Sequence, residues 1–267
     1  MEWFFPETVQ EALDLLFMGY TLHGGGTGIL LAKRASKGFI HLGRIPELKR
    51  IELSGEVIHI GALATYFETA SFLKKLSDNH VLGIALSMAA TNALRNRITI
   101  GGSLGFLPIW SDLMGPLVAL DAKVLLRGEH EGMFHAIDFV KRTDLRRNSI
   151  VTSVIIRRER IDGLYFRMGR TSVDFADLTI TIVGKENPSI AISGTRTKVE
   201  RLFALEERIR STGLDQIEKK INETWNLTFS HGRMGSAGFR EHLAKVYLAR
   251  LLKSIGGRSG DQTKGEW

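Results

Sequence analysis

Two short segments carry glycine in a pattern suited to an anionic ligand. Residues Arg95 to Ser103 read Arg-Asn-Arg-Ile-Thr-Ile-Gly-Gly-Ser, and Gly24 to Gly28 read Gly-Gly-Gly-Thr-Gly. Glycine has no Cβ, so its backbone can pass close to a ligand and offer N–H groups to it. Two N–H-rich loops at this separation could hold one long anion between them, although each alone reads equally well as a tight turn. Asp112 lies nine residues beyond Ser103. Its carboxylate could accept hydrogen bonds from ligand hydroxyls, but spacing alone favours a cap on the helix expected from Leu113.

Other chemistry is less well supported. Gly101-Gly102-Ser103-Leu104-Gly105 formally matches a nucleophile elbow, which needs a helix directly after the serine. Pro108 would break such a helix, so a serine hydrolase is not expected. The Gly24 segment does not complete G-x-G-x-x-G, and there is no phosphate-loop lysine. The eight histidines show no metal spacing. His130 and His135 fit neither one helix face nor one strand face and read as surface or capping residues. No metal ligand and no catalytic residue is assigned.

Composition narrows the classes further. The chain has 267 residues, 43% hydrophobic and 24% charged, as expected of an ordinary globular protein. It has no cysteine, which excludes disulfides, zinc–thiolate sites and any iron–sulfur cluster held by its own thiols. No apolar run approaches the roughly 20 residues that span a bilayer. The start, Met-Glu-Trp-Phe-Phe-Pro-Glu, has no basic region or cleavage site, so no signal peptide and a cytoplasmic location are expected. The net charge of +7 comes from Lys and Arg dispersed among acids, without an aromatic-interleaved basic motif, so nucleic acid is not an expected partner.

The elements that must position these residues can be read in order. Thr8-Val9-Gln10-Glu11 opens a helix as a capping box, with Val9, Ala12, Leu13, Leu16 and Phe17 on one face. Thr21 to His23 is a strand, Ile29 to Ala35 one or two helical turns, and Phe39 to Leu42 a strand. Arg50 to Gly61 is a hairpin turning at Ser54-Gly55. Thr65 to Leu76 and Val81 to Leu94 are helices, the latter stopping at Arg95. Leu113 to Leu120 is a short helix; Lys123 to Arg127 and Val151 to Arg157 are strands. Then come strands at Leu164 to Arg167, Thr179 to Val183 and Ser189 to Ser193, and helices at Thr197 to Ile209, Leu214 to Asn222 and Ser236 to Ile255. Strands followed by helices suggest an α+β unit. The expected division is residues 1–160, then 161–256, then a disordered tail over 257–267.

Several segments in order resemble one family. They are Gly24-Gly25-Gly26-Thr27-Gly28-Ile29-Leu30-Leu31, Ile45-Pro46-Glu47-Leu48, Ile60-Gly61-Ala62-Leu63-Ala64-Thr65, Arg95 to Ser103, and Ser111-Asp112 through Leu117 to Ala122. Phe166 to Arg170 with Asp174-Phe175-Ala176, and Gly235 to Arg240, continue the likeness. Together they resemble the FAD-binding medium subunit of the molybdenum hydroxylases, the xanthine dehydrogenase and carbon monoxide dehydrogenase family.

The resemblance implies an α+β chain: a two-lobed FAD-binding fold of the vanillyl-alcohol oxidase type over residues 1–160, plus a small α+β C-terminal domain. It implies that FAD is held by Leu22, His23, Gly24, Gly25, Gly26, Thr27, Gly28 and Ile29, and by Thr99, Ile100, Gly101, Gly102 and Ser103, through backbone N–H groups with help from the Thr27 and Thr99 hydroxyls. Asp112 matches the family's acidic FAD-binding residue, and Val151 and Arg167 match further flavin contacts. Gly28, Ser103, Arg97 and Ile98 depart from the usual pattern, but none removes a backbone donor. The implied role is an electron-transfer subunit, with iron–sulfur clusters on a small partner, the molybdenum cofactor on a large one, and NAD⁺ or another acceptor taking the electrons. A dimer of such heterotrimers is the implied assembly. The alternatives are a free-standing flavin reductase resembling UDP-N-acetylenolpyruvoylglucosamine reductase and a scaffold that has lost its flavin.

Overall fold

A computed structural model of the chain describes residues 1–32, 36–159, 161–233 and 235–256. The expected boundary residue 160, the end of the turn expected to Ala35, and the tail 257–267 lie outside these.

The chain opens with a small parallel sheet. Strand β1 (Glu2–Phe4) leads to helix α1 (Val9–Phe17), β2 (Thr21–His23), α2 (Thr27–Ala32) and β3 (Gly38–His41), in the spatial order β1-β3-β2. Thr8 caps α1 by accepting from the Glu11 N–H at 3.2 Å, as its sequence suggests. Glu11 reaches back one residue further than a capping box requires, to the Glu7 N–H. Val9, Ala12 and Leu13 then pack on Ile40 and on Ile45 and Leu48 of the following turns.

A five-stranded antiparallel sheet forms the second layer. Its strands are β4 (Ile51–Ser54), β5 (Val57–Gly61), β6 (Lys123–Gly128), β7 (Gly132–His135) and β8 (Ser149–Arg157), in the order β4-β5-β8-β6-β7. The hairpin turns on Gly55-Glu56, one residue later than expected, because Ser54 pairs with Val57 and Gly55 takes the positive φ of 57°. Between β5 and β6 run α3 (Tyr66–Leu76), α4 (Val81–Met88), α5 (Asn92–Arg95), α6 (Ile100–Phe106) and α7 (Met114–Ala119), which supply much of the main core. After β7 comes α8 (Ala136–Lys141), which sequence reading missed along with β1 and β7.

Two expected helices are corrected. The apolar run to Leu94 is not one helix: it breaks at Ala89 to Thr91. Ala90 is left-handed with φ 46°, Arg95 donates to the carbonyls of Ala89 and Ala90 at 2.8 and 2.9 Å, and Thr91 caps a new turn. The helix expected from Thr197 starts only after β12 (Lys198–Arg201), which pairs with β11 (Ser189–Thr195). Arg201 then meets buried Glu206 at 2.9 Å in α9 (Phe203–Thr212).

The last sheet runs β12-β11-β10-β9, with β9 at Gly163–Met168 and β10 at Leu178–Val183. Strand alternation gives it two unlike faces. Leu178, Ile180 and Ile182 pack beneath α9, α10 (Ile217–Thr224) and α11 (Ala237–Gly256). Thr179, Thr181 and Ser193 face α7, where Gly115 admits them: a Cβ there would lie 3.0 Å from the Thr181 and Ser193 hydroxyls. Arg167 and Tyr165 stand opposite Thr179 and Thr181 in register, which carries both to the end of α7 beside Asp112.

Candidate functional site

A cavity of about 860 Å³ opens between these layers. Its first wall is the turn from β2 into α2. Gly26 has φ 79°, a conformation that favours glycine, and Gly25 lies so close to the chain before α6 that a Cβ would stand 1.6 Å from the Arg97 carbonyl oxygen. Arg97 in turn donates to the Gly25 carbonyl at 3.2 Å. Among the described residues, the N–H groups of Gly25 and Gly26 have no protein acceptor, so they remain available to an anion.

The second wall differs from expectation. Gly101-Gly102 is not an open loop but the first turn of α6, capped by Thr99, whose hydroxyl accepts from the Gly102 N–H at 3.1 Å. The other N–H groups are also engaged: Ile100 donates to Ala64 at 3.0 Å, Gly101 to Ala62 at 2.7 Å and Ser103 to Thr99 at 3.0 Å. The expected backbone donors of this segment are therefore bonded within the protein. Gly101 is needed because a Cβ would lie 2.6 Å from the Cβ of Ala62. The helix ends at Leu107, which is left-handed at φ 45°, before Pro108 can interrupt it.

The third wall is polar and buried. Asp112 does not cap α7; the Ser111 hydroxyl accepts the Leu113 N–H at 3.3 Å instead. The Asp112 carboxylate accepts from Tyr165 Oη at 2.7 Å and Arg167 Nε at 2.8 Å. Arg167 also donates to the Asp174 carbonyl, which anchors the loop after β9 to the cavity. Burial pushes the Asp112 carboxyl up, while Arg167 and the Tyr165 hydrogen bond pull it down. Burial is the larger influence, so the carboxyl stands above the ordinary aspartate range despite these two donors. Burial also raises the Tyr165 and Tyr66 phenols, so both act as donors, Tyr66 to the Ser103 hydroxyl at 2.9 Å.

The cavity gathers most of the residues expected from sequence. Leu22, Gly24, Gly25, Gly26, Thr27, Gly28 and Ile29 line it, as do Thr99, Gly101, Gly102, Ser103, Asp112, Val151 and Arg167. Ile100 is instead buried in the core at 1% exposure, and His23 turns away to pair with His41. Sequence reading did not single out Tyr66, Tyr165, Trp110 or Phe175. Tyr165 was within reach, since it shares a strand face with Arg167. Trp110 and Phe175, both lining the cavity, meet with tilted rings 4.7 Å apart, a contact between distant segments with no local signal.

These walls suit a ligand with both anionic and hydroxyl groups, and comparison with known proteins agrees. Residues 1–157 match the family described as the FAD binding domain in molybdopterin dehydrogenase. The nicotinate dehydrogenase FAD subunit of Eubacterium barkeri is 31% identical over 172 residues, 59% of this chain. That alignment spans 58% of the relative's own length. The glyceraldehyde dehydrogenase medium chain of Sulfolobus acidocaldarius is 25% identical over 93% of this chain and 96% of its own. Among solved structures, a chain of carbon monoxide dehydrogenase from Hydrogenophaga pseudoflava superposes with TM-score 0.86 at 21% identity, covering 97% of this chain and 98% of that one. A chain of quinoline 2-oxidoreductase from Pseudomonas putida 86 gives 0.84 at 22% identity, covering 96% and 97%. The structural matches establish a shared mixed helix-and-sheet fold.

Proposed function

The chain belongs to the family of FAD-binding domains in molybdopterin dehydrogenases, and from that premise we propose how it works. It is an FAD-binding medium subunit of the molybdenum hydroxylase type, a subunit of an oxidoreductase whose iron–sulfur and molybdenum centres reside on other chains. Our reading is that it links iron–sulfur clusters on a small partner subunit to NAD⁺ or another acceptor, while a large subunit carries the molybdenum cofactor and selects the substrate. We further propose a dimer of heterotrimers in the cytoplasm, and FAD-binding and C-terminal domains divided near residue 160.

Bound FAD supplies one- and two-electron exchange; the protein supplies position and electrostatics. The free N–H groups of Gly25 and Gly26 would receive the diphosphate. Thr27 and the cavity-lining Thr99 to Ser103 turn would shape the ribityl end, with Asp112 orienting hydroxyls. Arg167 donates to Asp112 at 2.8 Å and holds its side chain in place. The observation that carries this reading is the meeting, in one cavity, of a glycine turn with unused donors and a buried acid fixed by two partners.

Acid precipitation of the purified chain should release FAD into the supernatant. Release of FMN, or flavin retained in the pellet, would overturn the reading. Pull-down from the native source should recover two further subunits with molybdenum and iron; recovery of the chain alone with full turnover of an organic substrate would favour the free-standing reductase. Asp112→Ala should weaken FAD binding by about 1–3 kcal/mol through the lost hydrogen bond. Unchanged affinity with a lower melting temperature would leave Asp112 a purely structural role.

A further inference from the structure

Outside the cavity, one cluster of titratable groups is unused by this function. His23 ends β2 and His41 ends β3, directly opposite in parallel register. Their Nδ1 atoms lie 3.2 Å apart and their ring centroids 5.4 Å apart, so the rings meet nearly tip to tip. Trp3 packs edge-on to His23 at 5.0 Å and Phe5 edge-on to His41 at 5.6 Å, leaving both half-buried.

The outer tips of the rings are confined as well. A Cβ at Gly26 would lie 2.8 Å from His23 Nε2, and one at Gly43 would lie 2.4 Å from His41 Nε2. The His23 ring therefore fills the space that a side chain at Gly26 would need, beside the turn whose N–H groups have no protein acceptor among the described residues. His23 also lies next to Gly24 in the chain, at the start of this turn.

Tip-to-tip contact needs one Nδ1–H and one bare Nδ1. A first additional proton can enter at the outer Nε2 of the donor ring and leave the bond intact. A second must enter at the accepting Nδ1, which sets two N–H groups head to head. The charged groups around the pair do not compensate. Arg97 faces His23, and Arg44 covers the Phe5 ring that packs on His41. Burial and the His41 charge hold His23 below the usual imidazole range, with Arg97 adding to them, against a backbone hydrogen bond that favours the charged ring.

We propose that His23 and His41 form an acid-sensitive latch on the flavin turn: while they share a proton the Gly24 to Gly28 segment keeps its binding shape, and a second proton parts the rings and releases FAD. This rests on the reading that the segment binds FAD.

The test is FAD affinity of the full chain at about pH 7.5 and about pH 5, below the usual histidine range. The wild type should lose about tenfold or more, equivalent to one pKa unit of differential protonation. His41→Gln keeps a hydrogen-bonding group but takes no proton, and its loss should stay within about twofold, a few tenths of a kcal/mol. A variant as sensitive as the wild type, or a wild type without sensitivity, overturns the latch alone. A wild type that binds no FAD at the higher pH overturns the functional reading and the latch with it. Nitrogen-resolved NMR of the wild type gives a check independent of the variant: one ring must carry hydrogen at Nδ1 and the other must not, and the same tautomer in both rings would also overturn the proposal.

Discussion

Gly25 and Gly101 both line the cavity, and both sit where a side chain would strike backbone or Cβ atoms, yet they serve different ends. At Gly25 a Cβ would meet the Arg97 carbonyl oxygen at 1.6 Å, and the N–H beside it is free. At Gly101 a Cβ would meet Ala62 at 2.6 Å, and the N–H is already bonded to the Ala62 carbonyl at 2.7 Å. The first glycine presents a donor to the cavity; the second lets α6 lie against the end of β5. A run of glycines thus has two uses that composition cannot separate, and the fate of the N–H groups separates them.

The sharpest way to break this comparison is Gly25→Ala. Overpacking against a backbone carbonyl cannot be relieved by rotating a side chain, so the cost should reach the upper part of the usual range, about 3 kcal/mol. The turn must open, and flavin should be lost entirely on gel filtration. Retained flavin would show that the donors lie elsewhere. Gly101→Ala should cost about 1–3 kcal/mol, read from the urea midpoint. Its remaining folded fraction should still bind FAD, because no free donor is removed. Thr99→Ala should cost about 1 kcal/mol by deleting the α6 cap. If either variant abolished flavin binding without lowering stability, the distinction between the two segments would fail.

Much of this was legible in the sequence. The order of the glycine segments, Asp112 and the Phe166 to Ala176 stretch identified the family, and all but His23 and Ile100 of the expected contacts line the cavity. The failures share a cause. Thr99 to Ser103 was read as a loop offering backbone donors, yet Thr99 caps a helix there and Ala62 and Ala64 accept its first N–H groups. Lys198 to Arg201 was read as the start of a helix because Arg and Glu fit one equally well; pairing with β11 decided for a strand. Asp112 was placed as a cap from spacing, but its true partners, Tyr165 and Arg167, lie more than fifty residues away. Each error concerns a contact made across the chain, where local preference is overridden by a distant partner.

The smallest expected effect has the opposite sign and sharpens the comparison most. Gly105 lies in the same helix as Gly101 and also lines the cavity, but nothing stands within 4 Å of its absent Cβ. Its backbone is not in the left-handed region, so alanine meets no strain there. Gly105→Ala should therefore stabilise the flavin-free chain by about 0.5–1 kcal/mol, through helix propensity and a less flexible unfolded state. The added methyl enters open space at a residue that lines the cavity, so FAD affinity should fall at most slightly, by less than about tenfold or 1.4 kcal/mol. The same substitution at Gly25, Gly101 and Gly105 would then give a lost turn, a strained junction and a firmer helix. Urea midpoints measured without flavin, beside FAD titrations of each variant, read the two effects separately. A destabilised Gly105→Ala would mean that this part of α6 is packed rather than open, and the cavity would have to be drawn without its wall.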